Sequence, residues 1–225
     1  MWSLCFIILI ILIFAFDIKI SEIKNIKEEG QNTENLKILE DLPSNEIVAK
    51  EVLKSINSDA KIEINNNSST SLYLIMQNKI VIGNVGNIFT RVQTVIHECI
   101  HSVQNKKIQK ANFIISNISN IYFLIEIILI IFKITDENIN KILLEITIAI
   151  EFVVFSIRSF LELDAMIRAE YETEKYLNNK TKNKEKIMQK YKKLNKVGIK
   201  LYNFSLILKS LIKIFIVILI NNIIF

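Results

Sequence analysis

The 225-residue chain has one proline, four glycines, two cysteines and two histidines. With only Cys5, inside an apolar run, and Cys99, no framework of disulfides can hold the fold, and both thiols are expected to pack as small hydrophobes. No basic residue precedes the first apolar run and no A-x-A-like site follows it, so an uncleaved anchor is expected rather than a secretory signal. The net charge of +5 comes largely from Arg168 to Lys200, where eleven Lys and Arg face four acids. That segment lacks the arginine and aromatic interleaving of single-strand binders, which speaks against nucleic acid as a partner. Nothing repeats internally, and the richness in Ile, Asn and Lys is a chain-wide bias that carries no function.

What is abundant is apolar sequence: 51% of the residues, clumped rather than scattered. Four runs, Trp2 to Phe16, Phe113 to Ile134, Ile142 to Leu161 and Phe204 to Phe225, approach the roughly 20 residues of a spanning helix. The expected architecture is a mainly α membrane protein of about four transmembrane helices carrying a small α+β domain. Its parts are a first helix (1–16), a polar connector (17–42), the α+β domain (43–112), two helices (113–134, 142–161), a helical Lys-rich segment (162–203) and a last helix (204–225). Lysine placement puts 17–112 and 162–203 inside, with both termini outside. The Lys-rich segment then reads as a solvated helix along the anionic inner leaflet.

The only proline, Pro43, closes the connector. A helix is expected after it, capped by Ser44 or Asn45, with Ile47, Val48, Val52 and Ile56 on one face. Short strands are expected at Leu72 to Met76 and Lys79 to Ile82 around the turn residues Gln77 and Asn78. Gly83 and Gly86 mark a loop before the next helix.

That helix carries both histidines of the chain, in "TVIHECIHSV". From Arg91 to Gln104 the residues Val92, Val95, Ile96, Cys99 and Val103 form one apolar stripe. At about 100° per residue, His97 and His101 lie roughly 140° to 180° from Val92, one turn apart. Two imidazoles so placed can share a Zn²⁺ ion, with Glu98 as general base for its water in peptide hydrolysis. Cys99 faces the stripe and is not expected to be a ligand.

A catalytic zinc needs a third protein ligand. The hairpin of the second and third runs returns the chain to the inner side just before "ELDAMIRAEYETEKYL", which offers Glu162, Asp164 and Glu170.

"VIHECIHSVQ", followed after a hydrophobic hairpin by "ELDAMIRAEYE", resembles the YugP-type neutral zinc metallopeptidases of bacterial membranes, with their patterns HE-x-GH-x-x-Q and E-F-D-A-S-R-R-A. The likeness runs from about Pro43 to Tyr176. It implies a zincin-like domain, His97, His101 and Glu162 as metal ligands, Glu98 as catalytic base, Zn²⁺ as cofactor and a peptide or protein substrate. It also implies a bacterial cell membrane; lysine placement puts the active site on its cytoplasmic side.

The chain departs from that pattern at Ile100, where the family has glycine, at Met166, where it has serine, and at "NNNSSTS", where it has a His-Tyr-Asp loop. A residue at position 166 is expected to orient a ligand histidine through its second ring nitrogen, a task for which methionine is a poor acceptor. Two other readings compete with the peptidase. One is an intramembrane site-2-type protease using Leu163 and Asp164; the other is a non-catalytic membrane scaffold.

Among charges within the apolar runs, Glu126, Glu145, Glu151 and Arg158 are costly in lipid. Glu151, Arg158 and Glu162 share a helical face that would allow an ion pair from Arg158 to either acid, but Glu145 and Arg158 are expected instead to approach the interfaces and snorkel. Glu126 and Glu151 are expected to meet each other or to line a wet cavity. Tyr73 and its neighbours offer an edge on which an extended peptide could pair.

Overall fold

In the computed structural model, residues 2–178 and 180–225 are described. The chain is mainly helical with one three-stranded sheet and divides into two compact units. One comprises residues 18–106 and 161–199, the other residues 1–17, 107–160 and 200–225.

The first unit holds the sheet. Helices α2 (Ile20–Gln31) and α3 (Thr33–Lys37) occupy the polar connector, and Asn32 caps α3 by accepting the Glu34 N–H at 2.9 Å. α4 (Asn45–Ser55) follows Pro43 and buries Val48, Ala49, Val52 and Leu53. Val48 and Val52 of the expected face are buried and Ile56 packs against the core, whereas Ile47, at the helix start, is 46% exposed and Ala49 and Leu53 complete the buried face. Asn57, at φ 54°, ends it in the left-handed conformation that asparagine tolerates.

Strands β1 (Lys61–Asn65), β2 (Leu72–Leu74) and β3 (Lys79–Gly83) form a sheet in the order β1-β3-β2. β1 runs parallel to β3, with Ile62 opposite Ile80, and β2 runs antiparallel to it, with Tyr73 opposite Ile80. The β2–β3 turn holds Asn78 at φ 46°, and the Asn78 side chain accepts from the Tyr73 hydroxyl and donates to Asp59. β2 and β3 thus fall where they are expected, β2 two residues shorter and β3 one residue longer, through Gly83. β3 is the buried strand, with Ile80 and Ile82 almost inaccessible. A Cβ on Gly83 would lie 2.4 Å from the Thr70 carbonyl oxygen, so the "NNNSSTS" loop can close over β3 only because this residue is glycine.

α5 (Arg91–His101) runs through the centre of this unit. Helices α7 (Glu137–Leu177) and α8 (Lys184–Ile224) each contribute a part: Ala165, Ala169 and Leu177 from one, Ile187, Met188, Tyr191 and Leu194 from the other. The Lys-rich segment is therefore not simply a solvated helix. Tyr191 donates to the Phe89 carbonyl at 2.9 Å and packs edge-on against the Phe89 ring, while Lys190 reaches Glu29 at 2.9 Å. Its apolar residues fall three or four apart and bury one stripe beneath the lysines.

The other unit is all helix: α1 (Trp2–Ala15), α6 (Lys106–Ile131), the first part of α7 and the last part of α8. α6 and α8 are long and apolar enough to cross a membrane. α1, at 14 residues, measures about 21 Å, short of the ~30 Å hydrocarbon core. Large aliphatic and aromatic side chains of α6 stand exposed, among them Ile114, Ile121 and Leu124. Polar groups are gathered inside. Glu151 binds Lys213 at 2.7 Å, Ser210 at 2.7 Å and Ser119; Glu126 accepts from Thr147. The two glutamates do not meet. Arg158 is exposed and pairs with neither Glu151 nor Glu162; its Nε donates to the Tyr202 hydroxyl, and Lys213 is the partner of Glu151. The Cys5 side chain lies outside the described residues.

Candidate metal centre

α5 presents two different surroundings. Val92, Val95, Ile96, Cys99 and Ile100 are all fully buried, so the helix is enclosed over more than the expected stripe. His97 and His101 emerge on the remaining face, with side chains 19% and 13% exposed. Across from them stands Glu162 of α7. Its Oε2 is 3.3 Å from His97 Nε2 and 3.7 Å from His101 Nε2, and the two Nε2 atoms are 3.1 Å apart.

Those three distances test whether a metal fits. Four donors about 2.0–2.1 Å from a tetrahedral zinc stand roughly 3.3 Å from one another, and the triangle found here has that size. Two imidazole nitrogens and one carboxylate oxygen are also the borderline donor set that zinc accepts while keeping a position open. His97, His101 and Glu162 thus form a group that could hold a metal ion.

The other acids of "ELDAMIRAEYE" are placed elsewhere. Asp164 accepts from Gln104 at 2.7 Å and lies 3.5 Å from Arg168; Glu170 accepts from Asn195 at 2.9 Å. Of the three candidate third donors, Glu162 alone joins the histidines.

Gln104 supplies what residue 166 was expected to supply. Its Oε1 lies 2.8 Å from His101 Nδ1, and its Nε2 donates to the Leu161 carbonyl and to Asp164, each at 2.7 Å. With the amide nitrogen fixed by two acceptors, Oε1 faces the ring as an acceptor. It selects the tautomer with the proton on Nδ1 and leaves the Nε2 lone pair for a metal. Met166 serves α8 instead: its carbonyl accepts from Asn195, and its methyl group fills the space that a side chain on Gly198 would need. The Gln104 spacing, three after His101, was visible in the sequence; its partner Asp164, sixty residues on, was not.

Electrostatics couple the group. Burial alone would raise the Glu162 carboxyl, but the facing His101 and His97 outweigh it and hold the group well below the usual carboxylate range. Burial would depress His101, yet Glu162 and the nearby Glu98 leave it raised. Glu98 is 8% exposed, and burial pushes its carboxyl up against the pull of both histidines and of the Tyr73 amide on β2. Cys99 is buried with its thiol raised by desolvation and by Glu98; it packs as a small hydrophobe and is no ligand. Ile100 adds its side chain to the core. A cavity of about 590 Å³ opens at the other end of α5, lined by Arg91, Pro43 and Asn45, and holds none of these donors.

No protein family, curated protein or solved structure matches the chain.

Proposed function

We propose that the chain is a membrane-anchored zinc metallopeptidase. The observation that carries this reading is the convergence of His97, His101 and Glu162 to zinc-sized separations, with Glu98 buried beside them. In it, the apolar runs of α6, α7 and α8 cross the bilayer, and the unit bearing the site lies on the cytoplasmic side, where the lysines concentrate. The resemblance to the YugP-type peptidases agrees with the donor set.

Bound zinc would acidify a water and polarise a peptide carbonyl. The chain's own residues do the rest. Glu98, desolvated and raised, takes a proton on a carboxylate oxygen and delivers it to the leaving amide nitrogen. Gln104 and Asp164 hold the His101 ring in one orientation. β2, at an edge of the sheet, offers backbone groups on which an extended substrate can add a strand beside Glu98. α5, at 11 residues, is too short to carry its histidines within a bilayer-crossing helix, as an intramembrane protease would require.

Glu98→Gln should keep the metal and abolish cleavage of a peptide library by the protein in lipid. Undiminished cleavage by that variant would sink the peptidase reading, and purified protein without stoichiometric zinc would sink the metal site with it.

A further inference from the structure

Three side-chain oxygens of α6 point inward without a hydrogen-bond partner among the described residues: Asn112 Oδ1, Ser116 Oγ and Glu126 Oε1, each shut off from solvent. With Ser119 they are spaced four, three and seven residues apart, which sets them on one face of the helix over about 21 Å. Glu126 is only 1% exposed, and its other oxygen accepts from Thr147.

The charged and titratable groups around Glu126 are committed elsewhere. On α6, Tyr122 donates to the Leu143 carbonyl, and just past its end Lys133 lies over the Phe225 ring. On α7, Glu145 is exposed, and Glu151, one turn from Thr147, holds Lys213. On α8, Lys209 is exposed, Lys213 also donates to Ser119 and Asn120, and the residues from Ile214 to Ile220 are all apolar. α1 brings only apolar residues from Ile7 to Ala15.

An ionised Glu126 would be a buried charge with no counter-ion, whereas the acid form is neutral and gains a donor. Buried polar oxygens without protein partners are ordinarily satisfied by internal water, and in a membrane such water must sit inside the protein.

We propose that the inward stripe of α6 binds a file of water molecules ending on Glu126, a protonated acid whose proton exchanges with solvent along that file. The site takes water and a proton as its ligands. It is independent of the metal centre, so metal-free protein serves for the test.

The full chain in lipid bilayers, carrying Glu98→Gln so that this raised carboxyl adds nothing to the band, is transferred at neutral pH from H₂O to D₂O and followed by infrared spectroscopy. The carbonyl stretch of a protonated carboxylic acid should be present and should shift in D₂O within minutes. It should vanish in Glu126→Gln, persist in Glu151→Gln and shift more slowly in Asn112→Leu/Ser116→Val. The amide band in the same spectra reports whether each variant keeps its helices. A missing band, a band untouched by Glu126→Gln, or one insensitive to D₂O overturns the protonated acid; unchanged exchange in the double variant overturns the water file. Should Glu126→Gln lose its helices, the native chain is treated with a hydrophobic carbodiimide and mapped by mass spectrometry. The acid O–H adds across a C=N bond, the proton going to nitrogen and the carboxyl oxygen to the central carbon. An adduct on Glu126 and none on Glu151 supports the proposal, and an unmodified Glu126 overturns it.

Discussion

His101 has one ring nitrogen turned to Glu162 and the other to Gln104, and the second contact governs the first. Removing a group that orients a metal-binding histidine typically costs 10–100-fold in affinity. Gln104→Leu and Asp164→Ala should therefore each weaken zinc binding by about that factor, whereas Glu162→Ala should remove stoichiometric zinc, all read by chelator competition. Equal losses for Asp164→Ala and Glu162→Ala would mean that Asp164 is itself a ligand. Spacing of histidines along one helix is local information, so the sequence displayed the pair. The choice of Glu162 over Asp164 and Glu170 depends on where α7 lies beside α5, which no local pattern encodes. The expected part for residue 166 went to Gln104 for the same reason.

At the scale of elements, the connector between α3 and α4 is held by one side chain. Buried Arg91, at the start of α5, donates to the carbonyls of Leu39, Leu42 and Pro43 and to Asn45 Oδ1, at 2.8–3.1 Å. No carboxylate shares the guanidinium, whose fork satisfies the chain's turn into α4 instead. Arg91→Ala should cost ~3 kcal/mol, measured by denaturant unfolding, and Arg91→Lys should recover only part, since a lysine cannot span the same acceptors.

Helices α2 and α8 are joined by Glu29, whose carboxyl is lowered by its hydrogen bonds to Lys190 and Asn35. A carboxyl lower in the folded than in the unfolded chain adds stability above its ordinary value of 4.5, and that stability drains away as pH falls through the folded value. Unfolding followed from neutral to acid pH should show this decline, and Lys190→Met should flatten it. The effect is small, because both side chains are about a third exposed. Sequence alone suggested a polar connector and a solvated lysine helix. That Ile26, Ile38, Leu39 and Leu42 of the connector and the apolar stripe of the Lys-rich segment share a core emerged only from packing, because these residues are few and widely separated in the chain.

Across the whole molecule, hydropathy disclosed the long helices well, since an apolar run is a property of consecutive residues. The path of α7, a single 41-residue helix that contributes to both units, was foreseen only in part, as Glu162 continuing the third run. The interior of the helical unit was the least legible. Lys213 reads in sequence as a lone charge in an apolar run, and only three helices in register reveal it as the counter-ion of Glu151.

Cys99 opens a view of motion. Its thiol lies on the helix of the two histidines, facing the core, so a reagent can reach it only when that core parts. In a Cys5→Ser background, its rate of alkylation becomes a clock that counts openings of the unit bearing the candidate metal site. If zinc binds only the closed form, the clock should slow about 100-fold when free zinc is 100 times its Kd. A ligand would then be weighed by how rarely the protein breathes.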